Sequence, residues 1–198
     1  MESNERCCPS NRMVFRTYGR YRRMSVIIFA CIQCGTCCRN LIEDVNGIAN
    51  GLHLTLKETR LFPSELISPY FAIGTKQSKH IISYQLNVDV CPHLTGENEC
   101  RIYEKRPLTC KAFPLEITLF KSTASVKCPI IGSQMKEGEF REIEFSSTEL
   151  EASTKLNRYL WNRFQKYGKA NSKFWKFDLR TKTWIEPQRR TGLGVKHI

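Results

Sequence analysis

The stretch CIQCGTCC, residues 31–38, places four cysteines in eight positions. A C-x-x-C loop turns both thiolates inward while its amides point at sulfur, and it therefore recurs in zinc sites and in iron–sulfur proteins. Here Cys31, Cys34 and Cys37 extend the spacing to C-x-x-C-x-x-C. Bacterial ferredoxins wrap this arc around one cluster, with a distant fourth cysteine followed by proline. The stretch predicts a fold organised around metal.

Four further cysteines follow in the chain: Cys91, Cys100, Cys110 and Cys128. Cys91 and Cys128 are each followed by proline, so both are candidates for the distant fourth ligand. Cys110 comes shortly after Pro107, a residue typical of a helix start, where the helix N-terminus stabilises a thiolate. Eight cysteines suit two four-ligand sites, or one site and spare thiols.

Cys38 directly follows Cys37, and neighbouring side chains point to opposite sides of an extended backbone. We therefore expect Cys38 not to share the site of Cys37. It binds a second metal, fills the core or acts as a reactive thiol. Cys7 and Cys8 lie far from the others in a region without a core pattern, and we expect them to be unpaired thiols.

Ten cysteines in 198 residues are too few for a secreted disulfide scaffold, in which cysteine reaches about 8–10%. Dense cysteine spacing in the reducing cytosol indicates metal binding or catalysis. The apolar run over residues 26–30 is too short for a membrane span or for the apolar region of a secretory signal. We expect a cytoplasmic protein without a membrane partner.

The net charge of +12 is concentrated at the two ends of the chain. Residues 1–30 carry six Arg against two Glu, and residues 151–198 carry twelve Lys and Arg against three Asp and Glu. We expect a flexible basic arm over 1–23 and a cysteine-cluster metal-binding domain over 24–145. A basic helix and β-hairpin over 146–198 would pack on that domain or extend it. The sequence leaves open whether translation starts at Met1 or at Met24.

Local patterns predict an α+β fold, a small metal-centred domain of short strands and helices. Capping boxes at residues 55–58 and 146–149 predict a short helix to residue 61 or 62 and a longer one ending at Gly168. Strands are predicted over residues 70–73, 80–86 and 100–103, and a terminal hairpin over 175–185. His53 and His80 have no partner at ligand spacing, so we expect core or surface imidazoles.

The cysteines and their neighbours resemble a known family, the cysteine-cluster proteins with a zinc- or iron-chelating CxxCxxCC domain. The matching elements are CIQCGTCCR at 31–39, CPHL at 91–94, CRIYEKRPLTCKAFP at 100–114 and the pair Cys128-Pro129. The same module occurs in flagellin lysine N-methylases. The resemblance implies a metal or an iron–sulfur cluster and, for the methylases, methyl transfer from S-adenosylmethionine to lysine. Those enzymes contain much additional sequence.

Three functions remain open on this sequence. One is an iron–sulfur protein with a redox or group-transfer role and an unidentified redox partner. Another is a structural zinc module that binds an acidic partner or nucleic acid through its basic tail, where Trp and Phe alternate with Lys and Arg. The third, by resemblance alone, is an S-adenosylmethionine-dependent lysine methylase.

Two further side chains are candidates for supporting the site. Tyr103 and Arg106 lie between Cys100 and Cys110, and they could donate hydrogen bonds to cluster sulfurs and so tune the reduction potential. A structural arginine beside a proline turn is the alternative interpretation. The sequence leaves this choice open, together with the number of metal sites and the oligomeric state.

Overall fold

The computed structural model of the chain describes residues 26–117, 122–136, 142–169 and 171–186. The strands are β1 Val26–Ile28, β2 Glu43–Val45, β3 Ile48–Asn50, β4 Leu52–Leu54, β5 Ile67–Pro69, β6 Phe71–Gly74, β7 Lys79–Ile81, β8 Tyr84–Leu86, β9 Leu115–Ile117, β10 Ser122–Ala124, β11 Glu142–Glu144, β12 Lys173–Asp178 and β13 Thr183–Ile185. The α-helices are α1 Leu108–Ala112, α2 Pro129–Lys136 and α3 Ser147–Tyr167. Short 3₁₀ turns cover Thr36–Cys38, Glu58–Leu61, Ser64–Leu66 and Tyr103–Lys105. The α+β fold class is confirmed.

Two compact units divide the chain, and each is made of two separate segments. Unit 1 contains the residues up to Leu41 and Val88–Trp161, and unit 2 contains Ile42–Asn87 and the residues from Asn162 onward. The predicted arm over 1–23, with Cys7 and Cys8, lies outside the described residues, as does the end of the predicted basic tail. Within the described part of the chain, no helix is long and apolar enough to cross a membrane.

Unit 1 holds few regular strands, and its core is small. Its strands pair only two at a time, β1 with β11 in parallel and β9 with β10 antiparallel. One buried cluster joins Phe29 to Cys128, Ile130 and Ile131, and the Phe29 and Phe145 rings lie 5.7 Å apart. A cysteine of the predicted metal set is therefore part of this apolar core.

Unit 2 is the part of the molecule richest in sheet. β12 lies between β13 and β6 in a four-stranded antiparallel sheet that β7 completes, while β8 lies between β4 and β5 in a second sheet. Leu54, Ile73 and Leu86 are fully buried in it. The predicted terminal hairpin is confirmed, and it forms half of the larger sheet.

Two buried polar side chains connect the segments of unit 2. Gln85 on β8 accepts a hydrogen bond from the Gly51 amide at 2.8 Å and donates to the carbonyl oxygens of Pro69 at 2.8 Å and Phe177 at 3.1 Å. Asp178, at the end of β12, accepts from the Ala49 amide at 2.9 Å. Burial would raise the pKa of Asp178, but hydrogen bonds, from the Thr181 hydroxyl first, hold that pKa below its usual value.

The local patterns predict most helices and strands correctly, and three of the predicted elements differ in the structure. The box at 55–58 opens a 3₁₀ turn, in which the Thr55 amide and hydroxyl both donate to the Glu58 carboxylate at 2.8 Å. In a capping box the Glu58 amide would donate to the Thr55 hydroxyl. It donates to the Thr55 carbonyl instead, at 3.1 Å. The predicted strand over 80–86 is broken between β7 and β8, and the strand over 100–103 is reduced to one bridge between Cys100 and Leu94.

His53 lies on β4. It is a core imidazole, which is one of the two roles expected for it, core or surface. Its ring packs edge-on against Tyr70 at 5.0 Å and Phe71 at 5.6 Å. Burial, aided by the Lys176 charge, lowers the pKa of His53 to about 3. The folded protein therefore keeps His53 neutral at a pH where the unfolded chain, with a histidine pKa of about 6.5, already binds a proton.

We expect this histidine to make unit 2 less stable in mild acid. A depressed folded-state pKa means that stability falls as pH drops below the unfolded value, at about 1.4 kcal/mol per pH unit. Between pH 6.5 and pH 5 the loss amounts to about 2 kcal/mol. Urea unfolding of the wild type and of His53→Gln, at both pH values, isolates this contribution, because metal loss affects both proteins alike. Equal pH dependence in the two proteins would contradict it.

Candidate metal centre

The CIQCGTCC stretch is shaped by a turn and not by extended backbone. Gly35 has φ +72° and accepts from the Cys38 amide at 3.0 Å as the chain enters the 3₁₀ turn. A Cβ at Gly35 would lie 2.8 Å from the Arg39 guanidinium and 3.0 Å from the Asn98 Cβ, so both the turn and the space require glycine. The Arg39 guanidinium also donates to the Asn98 side chain at 2.6 Å, which fixes the turn against the loop before Cys100.

This geometry corrects the expected relation between Cys37 and Cys38. Successive residues of a 3₁₀ turn are rotated by about 120°, so the two side chains diverge without pointing to opposite sides. The Cys37 side chain nevertheless raises the pKa of Cys38. The premise of extended backbone is therefore wrong, and the expectation that Cys38 does not share the site of Cys37 stays a prediction.

Four thiols border one small cavity of about 40 Å³ in unit 1. We call them the cavity group: Cys31, Cys34, Cys37 and Cys128. Phe29, Phe113 and Ile130 supply the apolar part of the lining. Cys31 and Cys37 are exposed, whereas Cys128 is buried, so the cavity lies between solvent and the core of unit 1. The C-x-x-C-x-x-C arc and one late Cys-Pro pair thus meet in space.

The other four thiols do not line the cavity, and we call them the inner group: Cys38, Cys91, Cys100 and Cys110. The Cys91 amide donates to the Cys38 carbonyl at 2.9 Å, and the side chains of these two residues affect each other's pKa. Charges on Cys38, Cys91 and Cys100 would each raise the pKa of Cys110, after the larger effect of burial. The second Cys-Pro pair therefore belongs with a different set from the first.

Both Cys-Pro pairs hold their sulfur atom in the same way. Proline has no amide hydrogen, and the next two amides in the chain turn toward the preceding cysteine sulfur. The amides of Ile130 and Ile131, at the start of α2, donate to Cys128. Those of His93 and Leu94 donate to Cys91. Amide donors favour the thiolate form, which is the form that binds metal.

A short loop folds the chain that follows Cys91 back against Cys100, nine positions later. Leu94 forms a bridge with Cys100, and the Arg101 amide donates to the His93 carbonyl at 2.9 Å. Asn98, with φ +66°, forms the turn between these two sides. This turn places Leu94, three positions after Cys91, beside Cys100.

The thiols of the inner group are poor acids in the polypeptide alone. The hydrogen bond with Cys37, supported by burial, raises the pKa of Cys38 to about 12, against the opposing contact with Cys91. The hydrogen bond with Cys38 and burial raise the pKa of Cys91, and burial raises that of Cys110. A bound cation would reverse this balance by displacing the protons, as it does at cysteine metal sites in general.

Tyr103 and Arg106 interact closely with each other. The Arg106 guanidinium lies 3.7 Å from the centre of the Tyr103 ring, and its Nε donates to the Tyr103 carbonyl at 2.9 Å. The Arg106 charge also acts on Cys110, whose pKa it lowers against the larger effect of burial. Hydrogen bonds from either side chain to a cluster sulfur stay a prediction.

The donor chemistry of both groups fits a metal that prefers thiolate. Zinc and iron–sulfur clusters are both bound by four cysteines, and each group supplies four. Among the described residues, however, no three Cys, His, Asp or Glu side chains already stand in the arrangement of a finished metal site. The thiols are neighbours, and each can reach another staggered position by rotation about its Cα–Cβ bond.

Comparison with known proteins agrees with this cysteine pattern. Residues 30–129, about half of the chain, match the model of the CxxCxxCC family, whose description reads "Putative zinc- or iron-chelating domain". The chain belongs to the CxxCxxCC family. All eight cysteines of the two groups lie inside the matched CxxCxxCC region. The comparisons found no match among curated proteins and none among solved structures.

Sequence reasoning missed the side chains that brace the CxxCxxCC turn. Arg39 contacts the Gly35 carbonyl at 3.3 Å as well as Asn98, across 59 positions of sequence. The sequence around Arg39 does not indicate that its partner is Asn98, because the two residues lie so far apart in the chain. Lys127, the residue before Cys128, similarly donates to the Asn40 carbonyl at 3.2 Å. This bond connects the end of the motif to the segment that carries Cys128.

Proposed function

We propose that the cavity group binds an iron–sulfur cluster and that the protein uses this cluster in a redox or group-transfer role. The observation that carries the proposal is the meeting of Cys31, Cys34, Cys37 and Cys128 around one cavity. A cluster of this kind supplies one-electron chemistry when it is bound. Zinc at the same four thiolates is the competing interpretation, since both metals use this ligand type.

Two features of the cavity group favour a cluster over a single ion. The spacing of Cys31, Cys34 and Cys37 is the ferredoxin arc, and Cys128 with its following proline completes that pattern. The thiols also surround open space, and a cluster needs such space because each cysteine binds a different iron atom. A closed structural zinc site, in contrast, brings its four sulfurs around one point.

The surroundings of the cavity group suit electron exchange with a partner. Phe29, Phe113 and Ile130 cover one side with apolar surface, and exclusion of water there affects a reduction potential. The amides of Ile130 and Ile131 donate to Cys128, and hydrogen bonds to sulfur also tune the potential. Cys31 and Cys37 are exposed, so a redox partner could approach from that side.

Anaerobic purification followed by a visible spectrum and iron analysis tests the proposal. We expect the wild type to be coloured, and Cys34→Ser to lose at least nine tenths of its iron and of its visible absorbance. Cys8→Ser is the matched control, because the same substitution falls outside both groups and should leave the spectrum unchanged. A colourless wild type with zinc and no iron would overturn the proposal.

The aromatic residues of the terminal hairpin do not favour the nucleic-acid alternative. Trp175 is buried, and its indole donates to the Gly74 carbonyl at 3.0 Å. Trp184 packs against Phe177 at 5.2 Å, and Lys176 lies over the Tyr70 ring at 5.5 Å. These rings contribute to the packing of unit 2. The methylase alternative rests on resemblance alone and is not part of the proposal.

A further inference from the structure

We infer that one end of unit 2 is a docking surface for an acidic protein. We call this surface the basic end, and six cations define it: Lys76, Lys79, Arg163, Lys166, Lys169 and Lys173. They lie in two short segments without Asp or Glu, residues 74–81 at the β6–β7 hairpin and residues 162–173 at the end of α3. The inference goes beyond the proposed cluster and does not depend on it, because the described part of unit 2 contains no cysteine.

Contacts within unit 2 hold these two segments together. The His80 ring on β7 stacks on the Tyr167 ring at the end of α3, with 3.5 Å between the ring centroids. Lys173 on β12 pairs with Gly74 on β6, and Gly74 pairs in turn with Lys79 on β7. Paired strands and a ring stack therefore place the cations of the basic end beside one another.

Two tight turns fix the lysines that lie outside the strands. In the β6–β7 hairpin, which carries Lys76, the Thr75 amide donates to the Ser78 carbonyl at 2.8 Å. After α3, the Lys169 amide donates to the Ser172 hydroxyl and the Ser172 amide donates to the Lys169 carbonyl, both at 3.0 Å. Because the backbone that carries these charges is already ordered, a partner does not have to order it on binding.

Much of the charge at the basic end is not compensated within the described residues. Lys173 pairs with Glu186 at 2.9 Å. Beyond the other end of β12, Arg180 is likewise paired, with Asp44 at 2.7 Å. Three exposed lysines of the basic end, in contrast, form no ion pair in the described part of the chain: Lys76, Lys166 and Lys169. Such a surface attracts a partner of opposite charge and speeds the encounter with it.

The rings and the arginine of the basic end favour carboxylates over nucleic acid. Proteins bind single-stranded nucleic acid by stacking bases on exposed rings. Here Tyr167 already stacks on His80, and the buried Trp175 has the Lys79 ammonium over its ring at 4.4 Å. Five of the six cations are lysines, whereas phosphate recognition favours the forked arginine. The one arginine, Arg163, donates to the Tyr167 hydroxyl at 3.4 Å. Lysines around packed rings suit a charge-steered complex with an acidic protein surface.

Fluorescence anisotropy with labelled polyglutamate tests the inference on the full chain. The test variant carries Lys76→Glu, Lys166→Glu and Lys169→Glu. The matched control reverses three other exposed cations of unit 2, so both variants have the same net charge: Lys57→Glu, Arg60→Glu and Lys182→Glu. At low salt we expect the Kd for polyglutamate to rise about tenfold or more in the test variant and about threefold or less in the control. Equal weakening in both variants would overturn the inference, because attraction would then depend on net charge alone.

Lysine acetylation of the wild type, read by mass spectrometry, decides the question without a variant, should the test variant fail to fold. Polyglutamate should protect Lys76, Lys166 and Lys169 and leave Lys57 and Lys182 reactive, and uniform protection would count against the basic end. An oligo-dT of equal charge is measured in parallel. If it binds more tightly than polyglutamate and only the test variant loses it, the surface binds nucleic acid and the inference is wrong. A colourless protein that binds polyglutamate through the basic end would refute the cluster alone.

Discussion

Withdrawal of all metal by anaerobic chelation should abolish the hydrogen-exchange protection of unit 1 and leave the four-stranded sheet of unit 2 protected. The eight cysteines of the described residues all belong to unit 1. The strands of unit 1 have three residues each and pair only in twos, so they offer little stability of their own. Structural zinc contributes roughly 10–16 kcal/mol in small peptides, as much as the whole stability of an ordinary domain.

Hydrogen exchange read by mass spectrometry separates the two units peptide by peptide. Peptides that cover α1, α2 and the CIQCGTCC turn should exchange at least a hundredfold faster after chelation. Peptides from β6 and β12 serve as the internal control. Re-addition of the metal ions should restore protection. Unit 1 peptides that stay protected in metal-free protein would show that the metal does not hold this unit together.

Replacement of Gln85 by leucine should lower the free energy of unfolding by roughly 3–5 kcal/mol. The side chain is fully buried. It accepts a hydrogen bond from the Gly51 amide and donates to the carbonyl oxygens of Pro69 and Phe177. Leucine is similar to glutamine in size, but it can form none of these three hydrogen bonds. Three backbone groups from three different strands or loops would then lack their partner inside the protein, and each such group costs about 1–3 kcal/mol.

Ser83 provides a matched control two residues away. Its side chain is equally buried, but its hydroxyl has no hydrogen-bond partner among the described residues. Ser83→Ala should therefore change stability by less than about 1 kcal/mol, because it removes a buried polar atom that contributes no bond. Chemical unfolding of both variants, followed by the fluorescence of Trp175 in unit 2, gives the comparison. Similar losses in the two variants would argue against the role of Gln85.

The elements that depend on local chemistry were predictable from the sequence. The helix ending at Gly168 follows from its capping box, since the Ser146 hydroxyl accepts from the Thr148 amide at 3.2 Å and the Phe164 carbonyl accepts from the Gly168 amide at 2.8 Å. The terminal hairpin follows from the alternation of large apolar and charged residues. These signals lie within a few residues of the structure that they specify.

What depends on distant partners was not predictable. Alternation in β12 does not reveal that β6, about a hundred positions earlier, is its neighbour. The spacing of the cysteines predicts eight candidate ligands. It does not predict which of them belong to the cavity group and which to the inner group, because that division depends on the rotation of the backbone between Cys37 and Cys38. A glutamine in a short strand likewise gives no sign that Phe177, 92 positions later, accepts its hydrogen bond.

The interleaved course of the chain limits how the metal-binding region can be excised. A fragment trimmed to the family boundaries at 30 and 129 keeps β6 but loses β12, its antiparallel partner. It also loses Asp178, which binds the Ala49 amide, and Phe177, which binds Gln85. Such a minimal fragment would expose an unpaired strand edge that invites aggregation. β12 and β13 are therefore needed to complete the half of unit 2 that the boundaries retain.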